Sequence, residues 1–242
     1  MNKEKAVSTF SLTKKYKDIT AVNSLDLTVY DGEVFSLLGV NGAGKTTTIK
    51  MLCCLCAPTS GDAEVYSHSI ISSPKEVKKL INVSPQQTAV AQNLTVEENL
   101  SLICDIYGLK DKKQRIDESI CDFDLADVRK KRAGKLSGGY QRRLSIAMAL
   151  ISEPKLVFLD EPTLGLDVIA RRELWKHIVK LKGKTTVVLT THYLEEAQAL
   201  SDRIGIMKKG SLAAVGTPEE LIARSGKTNF EDAFIALSTE EI

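Results

Sequence analysis

The segment Gly39-Val40-Asn41-Gly42-Ala43-Gly44-Lys45-Thr46 constrains this chain more than any other, because it follows the apolar run Glu33–Leu38 and opens a helical pattern. A turn of spacing G-x-x-x-x-G-K-[ST] between a strand and a helix folds its backbone N–H groups inward around phosphate oxygens. Side chains would obstruct that fold, whereas glycine has no Cβ and tolerates positive φ. Lys45 is then placed to reach the β and γ phosphates of a nucleotide, and the Thr46 hydroxyl to ligate Mg²⁺.

The remainder supplies the sheet that such a turn requires. Apolar or β-branched runs at Glu33–Leu38, Leu156–Leu159, Thr185–Thr190 and Arg203–Met207 alternate with helical periods, which predicts an α/β fold with a mainly parallel sheet. Two stretches depart from the alternation. Val7–Leu12 and Leu25–Val29, before Asp31-Gly32, read as an N-terminal antiparallel portion, and Thr95–Leu150 is helical without a convincing strand. No repeat or linker divides the chain, so the expectation is one domain over residues 1–242, with a helical subdomain inserted at about 95–150.

Three further groups carry chemistry. Lys155-Leu156-Val157-Phe158-Leu159-Asp160-Glu161 is an apolar strand ending in adjacent carboxylates that point different ways, so Asp160 is assigned to magnesium and Glu161 to general base. Ser137, at the head of a helix and followed by Gly138 and Gly139, reads as an N-cap whose glycines leave helix N–H groups open, making a second anion site. His192 ends the run TTVVLTTH, where an imidazole could hold the γ-phosphate, the attacking water and Glu161 in line.

With GVNGAGKTT, LSGGY and LVFLDEP in this order, the chain resembles an ATP-binding cassette (ABC) ATPase over nearly its whole length. The resemblance implies ATP and Mg²⁺ as ligands, with loop contacts extending through Thr47. It also implies a second cassette, homo- or heterodimeric, whose P-loop nucleotide is closed over by Ser137, Gly138 and Gly139. Tyr16 matches the aromatic that stacks on adenine, and Gln86 the glutamine that contacts Mg²⁺ and the reacting water; Gln87 is adjacent. Asp167, in LGLD, matches the loop that crosses the dimer interface, its alternative role being the N-cap of the next helix. Tyr140 departs from the pattern, standing where LSGGQ has glutamine. The stretch from Leu194 to Leu221, with NFEDAFIAL beyond it, resembles ABC-2 export cassettes, including drug-efflux ATPases, so a regulatory domain like that of many sugar importers is not expected. Such a cassette works on the cytoplasmic face of a membrane, peripherally, through an integral membrane permease that it drives by ATP hydrolysis. The alternative is a soluble ABC ATPase serving an assembly such as iron–sulfur scaffold proteins.

Composition narrows the partners. Lys and Arg number 33 against 31 Asp and Glu, a formal charge of +2, which offers no broad footprint for nucleic acid. The start of the chain has no signal-peptide core, and no apolar run approaches the roughly 18 to 20 residues that cross a bilayer. Cys53, Cys54 and Cys56 sit in one apolar stretch read as helical and are expected to be core residues rather than metal ligands; with Cys104 and Cys121 elsewhere, the odd count of five reads as reduced. His68 and His177 are expected to be surface or core filler, and Trp175 core.

Overall fold

Strands of β-branched and apolar residues assemble two sheets. The computed structural model describes residues 3–239, and residues 1–2 and 240–242 of the expected unit lie outside the described residues. In chain order the elements are β1 (Lys5–Tyr16), β2 (Ile19–Leu25), β3 (Thr28–Tyr30), β4 (Val34–Leu38), α1 (Lys45–Leu52), β5 (Ser60–Val65), β6 (His68–Ser69), α2 (Pro74–Leu80) and β7 (Ile81–Ser84). Then come α3 (Val96–Tyr107), α4 (Lys112–Asp122) and α5 (Gly138–Leu150). The order closes with β8 (Leu156–Asp160), α6 (Val168–Val179), β9 (Thr186–Thr191), α7 (Leu194–Leu200), β10 (Arg203–Lys208), β11 (Ser211–Gly216), α8 (Pro218–Ser225) and α9 (Phe230–Thr239).

The larger sheet has the order β11-β10-β4-β9-β8-β7, parallel throughout except for the β10–β11 hairpin. Its central strands β4, β8 and β9 are buried at every position, as continuous apolar runs covered on both faces require. The expected parallel strands are all present, and β7 and β11 extend the sheet at its edges. Those two are short and mixed, INVS and SLAAVG, and carry little strand signal of their own.

The second sheet is antiparallel, in the order β2-β1-β5-β6, with β3 also on β1. Its sequence reading needs one correction: the run expected at Leu25–Val29 is the junction of two strands, β2 and β3. Asp26 Oδ1 accepts from Ser11 N at 2.6 Å, so a side chain takes the place of a ladder bond there and divides the run. The sheet packs on one face of the parallel sheet through Val7, Val29, Ile49, Leu52, Phe35 and Phe158.

Between β7 and β8 the regular elements among the described residues are all helical, as expected, with a lone bridge between Thr95 and Arg132. Thr95 caps α3 in a reciprocal box with Glu98, and Gly108 ends that helix at φ 60. Leu100, Phe123, Leu125 and Leu144 from this region share a core with Val157, Leu159 and Leu189 on the other face of the parallel sheet.

The cysteine stretch is corrected too. α1 stops at Leu52, and Cys54 has φ 54, so the cysteines follow the helix instead of continuing it. Cys53 is buried and Cys54 and Cys56 are half-buried against the same core, while elsewhere Cys104 is buried and Cys121 exposed. Burial pushes the Cys53 thiol up, which keeps it protonated. Trp175 is half-buried at the margin of the helical core, with its indole N–H donating to Glu196 Oε1 at 3.1 Å. His177 is buried core filler stacked on Phe123 at 5.3 Å, and His68 is half-buried in β6.

Candidate functional site

In the parallel sheet β4, β9 and β8 are neighbours, and their C-terminal ends open on one side. Register pairs Leu38 with Thr191 and Asp160 with Thr190, so the glycine loop, the paired acids and His192 leave the sheet together. Gly44 precedes α1 at φ 102, and a Cβ there would lie 2.4 Å from the Ala21 carbonyl oxygen, so both conformation and space require glycine.

The buried Lys45 ammonium donates to the Gly39 oxygen at 2.6 Å and to the Val40 oxygen at 3.3 Å. It also lies 3.3 Å from Glu161 Oε1. The other Glu161 oxygen is 2.8 Å from His192 Nδ1. Glu161 sits at φ 48, an uncommon conformation for a side-chain-bearing residue, fixed where its N–H donates to the Thr190 hydroxyl at 3.0 Å and to the Thr190 carbonyl at 3.1 Å. The Thr46 hydroxyl is 3.0 Å from Asp160 Oδ1, which also accepts from the Thr190 hydroxyl at 2.6 Å. Hydroxyl and carboxylate oxygens held this close form a donor set that suits magnesium.

A cavity of about 530 Å³ lies against these groups, lined in part by Tyr16, Asn41, Gly42, Ala43, Gly44, Lys45, Thr46, Thr47, Gln86 and Glu161. That volume is in the range of small-ligand clefts. Gln86 lines it and Gln87 does not. Tyr16 is partly exposed, with the Lys14 ammonium 5.1 Å from its ring centre, and partial burial beside Cys56 raises its hydroxyl pKa. The sequence reading missed Ile19, Thr20 and Ala21 of the first hairpin and Lys209 of the β10–β11 turn, all lining the cavity. Lys209-Gly210 is a turn signal in the sequence, but its approach to the loop, where Gly210 N donates to Ala43 O at 3.0 Å, is a tertiary fact.

Several predicted residues lie apart from this cavity: Ser137, Gly138, Gly139 and Asp167 do not line it. Ser137 is exposed at the head of α5, and its side chain makes no capping bond, so the N-cap expectation holds for position but not for the hydroxyl. Gly139 packs on α6: a Cβ there would be 3.1 Å from the Ala170 Cβ. Asp167 is the N-cap of α6, its Oδ1 accepting from Ile169 N and Ala170 N at 2.9 Å each. Leu164, Val168 and Ile169 are exposed around it. Tyr140 packs against the helical core beneath the Arg143 guanidinium, 4.3 Å from its ring centre.

A phosphate-wrapping glycine loop, a strand-end carboxylate pair and a separate glycine-bearing helix start define a nucleotide-binding cassette of the α/β class. The chain belongs to the ABC transporter family, whose model matches residues 22–164. It is 39% identical over 242 residues to the probable multidrug ABC transporter ATP-binding protein YbhF of Escherichia coli, covering 97% of this chain and 42% of that one. It is 42% identical to the daunorubicin resistance ATP-binding protein DrrA3 of Streptomyces coeruleorubidus, covering 91% of this chain and 71% of that one. Against ABC transporter A family member 2 of Arabidopsis thaliana the identity is 45%, over 88% of this chain and 22% of that one. The chain thus spans less than half the length of several relatives it matches. Among solved structures, an ATP-binding subunit of an ABC transporter superposes with a TM-score of 0.86 at 27% identity, covering 97% of this chain and all of that one. A cassette described as dimeric, in a post-hydrolysis state with ADP and Pi, gives 0.78 at 27% identity, over 87% of this chain and 98% of that one.

Proposed function

We propose that this chain is the ATP-binding and ATP-hydrolysing subunit of an ABC exporter, closing head to tail with a second cassette on MgATP to drive a separate membrane permease. The observation that carries the reading is the convergence of Lys45, Thr46, Asp160, Glu161 and His192 within hydrogen-bonding or ion-pairing distances at one edge of a cavity that also meets Tyr16 and Gln86. The drug-resistance and multidrug names of its relatives favour export.

Tyr16 stacks on adenine, and the loop from Gly39 to Thr47 holds the phosphates through backbone N–H groups. Lys45 exchanges its carbonyl partners for phosphate oxygens, which releases Glu161 from the ammonium. Glu161 then takes the proton of the attacking water, while His192 orients the carboxylate and contacts the γ-phosphate. Thr46, Asp160 and Gln86 would hold magnesium, which neutralises charge on the phosphates when bound. Ser137, Gly138 and Gly139 meet the nucleotide of the partner cassette, and Asp167 crosses between the two. The whole chain, 1–242, acts as one domain in which residues from about 95 to 150 form a subdomain that passes closure to the permease. Among the described residues no helix is long and apolar enough to cross a membrane.

Gentle detergent extraction of the tagged chain from its native membranes tests the reading. A hydrophobic multi-span protein should copurify and ATPase activity should be present; recovery of soluble partners alone would move the assignment to an assembly ATPase.

A further inference from the structure

Arg142 has a place in this molecule that the nucleotide site does not explain. It lies on α5 one turn beyond Gly138, and only 4% of it is exposed. Among the described residues its guanidinium reaches five main-chain carbonyls and no carboxylate. Nε donates to Pro162 O at 2.7 Å, and Nη2 to Asp160 O at 2.7 Å and to Glu161 O at 2.8 Å. Nη1 donates to Pro85 O at 2.5 Å and to Gln86 O at 3.3 Å. Burial lowers its pKa to about 10, which leaves it charged at neutral pH.

A buried cation that hydrogen-bonds no carboxylate is costly even with the charges of Asp160, Glu196 and Glu161 offsetting part of its desolvation, and an apolar side chain would fill the space without that cost. What an apolar residue could not do is hold two loops at once. One loop carries Glu161 in its positive-φ conformation; the other carries Gln86, and both side chains line the same cavity. Arginine suits the task because its donors lie in one rigid plane, so the carbonyls bound to opposite edges are held at a fixed separation. The neighbouring Arg143 faces away, donating to Phe123 O at 3.3 Å and Asp124 O at 3.4 Å at the end of α4. Successive arginines therefore tie α5 to the catalytic edge on one side and to the helical region on the other.

We propose that Arg142 is a positioning residue for hydrolysis, fixing the loop of Gln86 against the loop of Glu161 by bridging their main-chain carbonyls. The proposal rests on the catalytic reading given above and touches no atom of the substrate. Misplacement of a catalytic group by about 1 Å costs on the order of 100-fold in rate, so Arg142→Gln should lower kcat by about that factor while KM for MgATP moves little. Arg142→Lys keeps the charge but offers three donors from a point, so it should recover part of the lost kcat. Amide exchange across residues 85–87 and 160–163 should rise in Arg142→Gln while the rest of the chain keeps its wild-type protection.

The test is steady-state ATPase kinetics and amide hydrogen exchange on the full chain and both variants. Near wild-type kcat in Arg142→Gln, with unchanged exchange in both loops, overturns the proposal. So does a fall in kcat matched by loss of protection throughout the chain, because that is a folding defect. If the wild-type chain turned over no ATP, the catalytic reading and this inference would both fall, whereas an active wild type with an unimpaired variant overturns the inference alone.

Discussion

Residues 39–46 and residues 137–139 are both glycine-bearing turns leading into a helix, yet one is closed onto its own chain and the other faces outward. In the first, Lys45 is buried and its ammonium is bound to two carbonyls and paired with Glu161. In the second, Ser137 is exposed, makes no cap bond and lies outside the cavity. A helix start with open N–H groups is an anion site wherever it occurs. The difference lies in what surrounds it: the first loop has a cavity, an aromatic and paired acids from its own chain, whereas the second has an exposed apolar rim of Leu164, Val168 and Ile169 near Asp167. Under the proposed function the first is a whole site and the second half of one, the asymmetry that head-to-tail pairing needs.

The strongest way to break this comparison is at the complete end. Glu161→Gln keeps the volume and the bond to Thr190, but an amide cannot accept the proton of water. General-base loss costs roughly 10² to 10⁴-fold, so turnover should nearly vanish while ATP binding survives. ATP should then hold the chain as a dimer, read by light scattering alongside phosphate release. Near-normal turnover would remove Glu161 from the catalytic role and leave the first loop a binding device.

A smaller effect separates the two loops directly. Lys45→Ala removes a charged donor worth about 1.5 to 3 kcal/mol in contact with phosphate, so the dilute chain should bind a fluorescent ATP analogue about 10- to 150-fold more weakly. Ser137→Arg blocks the outward-facing turn but leaves the cavity untouched, so the dilute chain should bind with wild-type affinity and fail only in turnover. Weakened monomer binding in Ser137→Arg would mean that the second loop serves its own chain's nucleotide, and the comparison would collapse.

The two loops were also unequally legible in the sequence. Most of the first is contiguous or strand-terminal: GVNGAGKTT stands in one run, and Asp160 and Glu161 end an apolar strand that sheet order must bring alongside, whereas Ile19, Thr20, Ala21 and Lys209 reach its cavity only through the fold. The second was legible as a glycine pair behind a serine, but the missing Ser137 cap bond was not, since residue type says which side chains can cap and not which rotamer is occupied. Arg142 was invisible as a functional group because its partners are main-chain carbonyls 18 to 20 and 56 to 57 residues away, and carbonyls carry no residue signature. The division at Asp26 and the end of α1 before the cysteines were lost for a related reason: a side chain replacing a ladder bond, and a residue at positive φ, leave apolar patterning unchanged.

The mildest test concerns the cavity's far wall. Tyr16 is partly exposed, lines the cavity and already carries the Lys14 ammonium near its ring, so it has a face suited to a flat π-system. Adenine lies remote from the bond that breaks, and a contact made equally in the ground and transition states changes affinity without changing the chemical step. Aromatic stacking is worth about 1 kcal/mol, so Tyr16→Ala should raise KM for MgATP by roughly fivefold with kcat retained. Tyr16→Phe separates the ring from the hydroxyl, whose neighbours are Thr47 and the Cys56 sulfur, the latter at 4.0 Å. If stacking is the role, phenylalanine keeps wild-type KM; if it shares alanine's defect, the hydroxyl and its link to the phosphate loop through Thr47 carry the contact. A large loss of kcat at constant KM in Tyr16→Ala would place Tyr16 with the catalytic groups and move the boundary of the self-contained site toward the first hairpin.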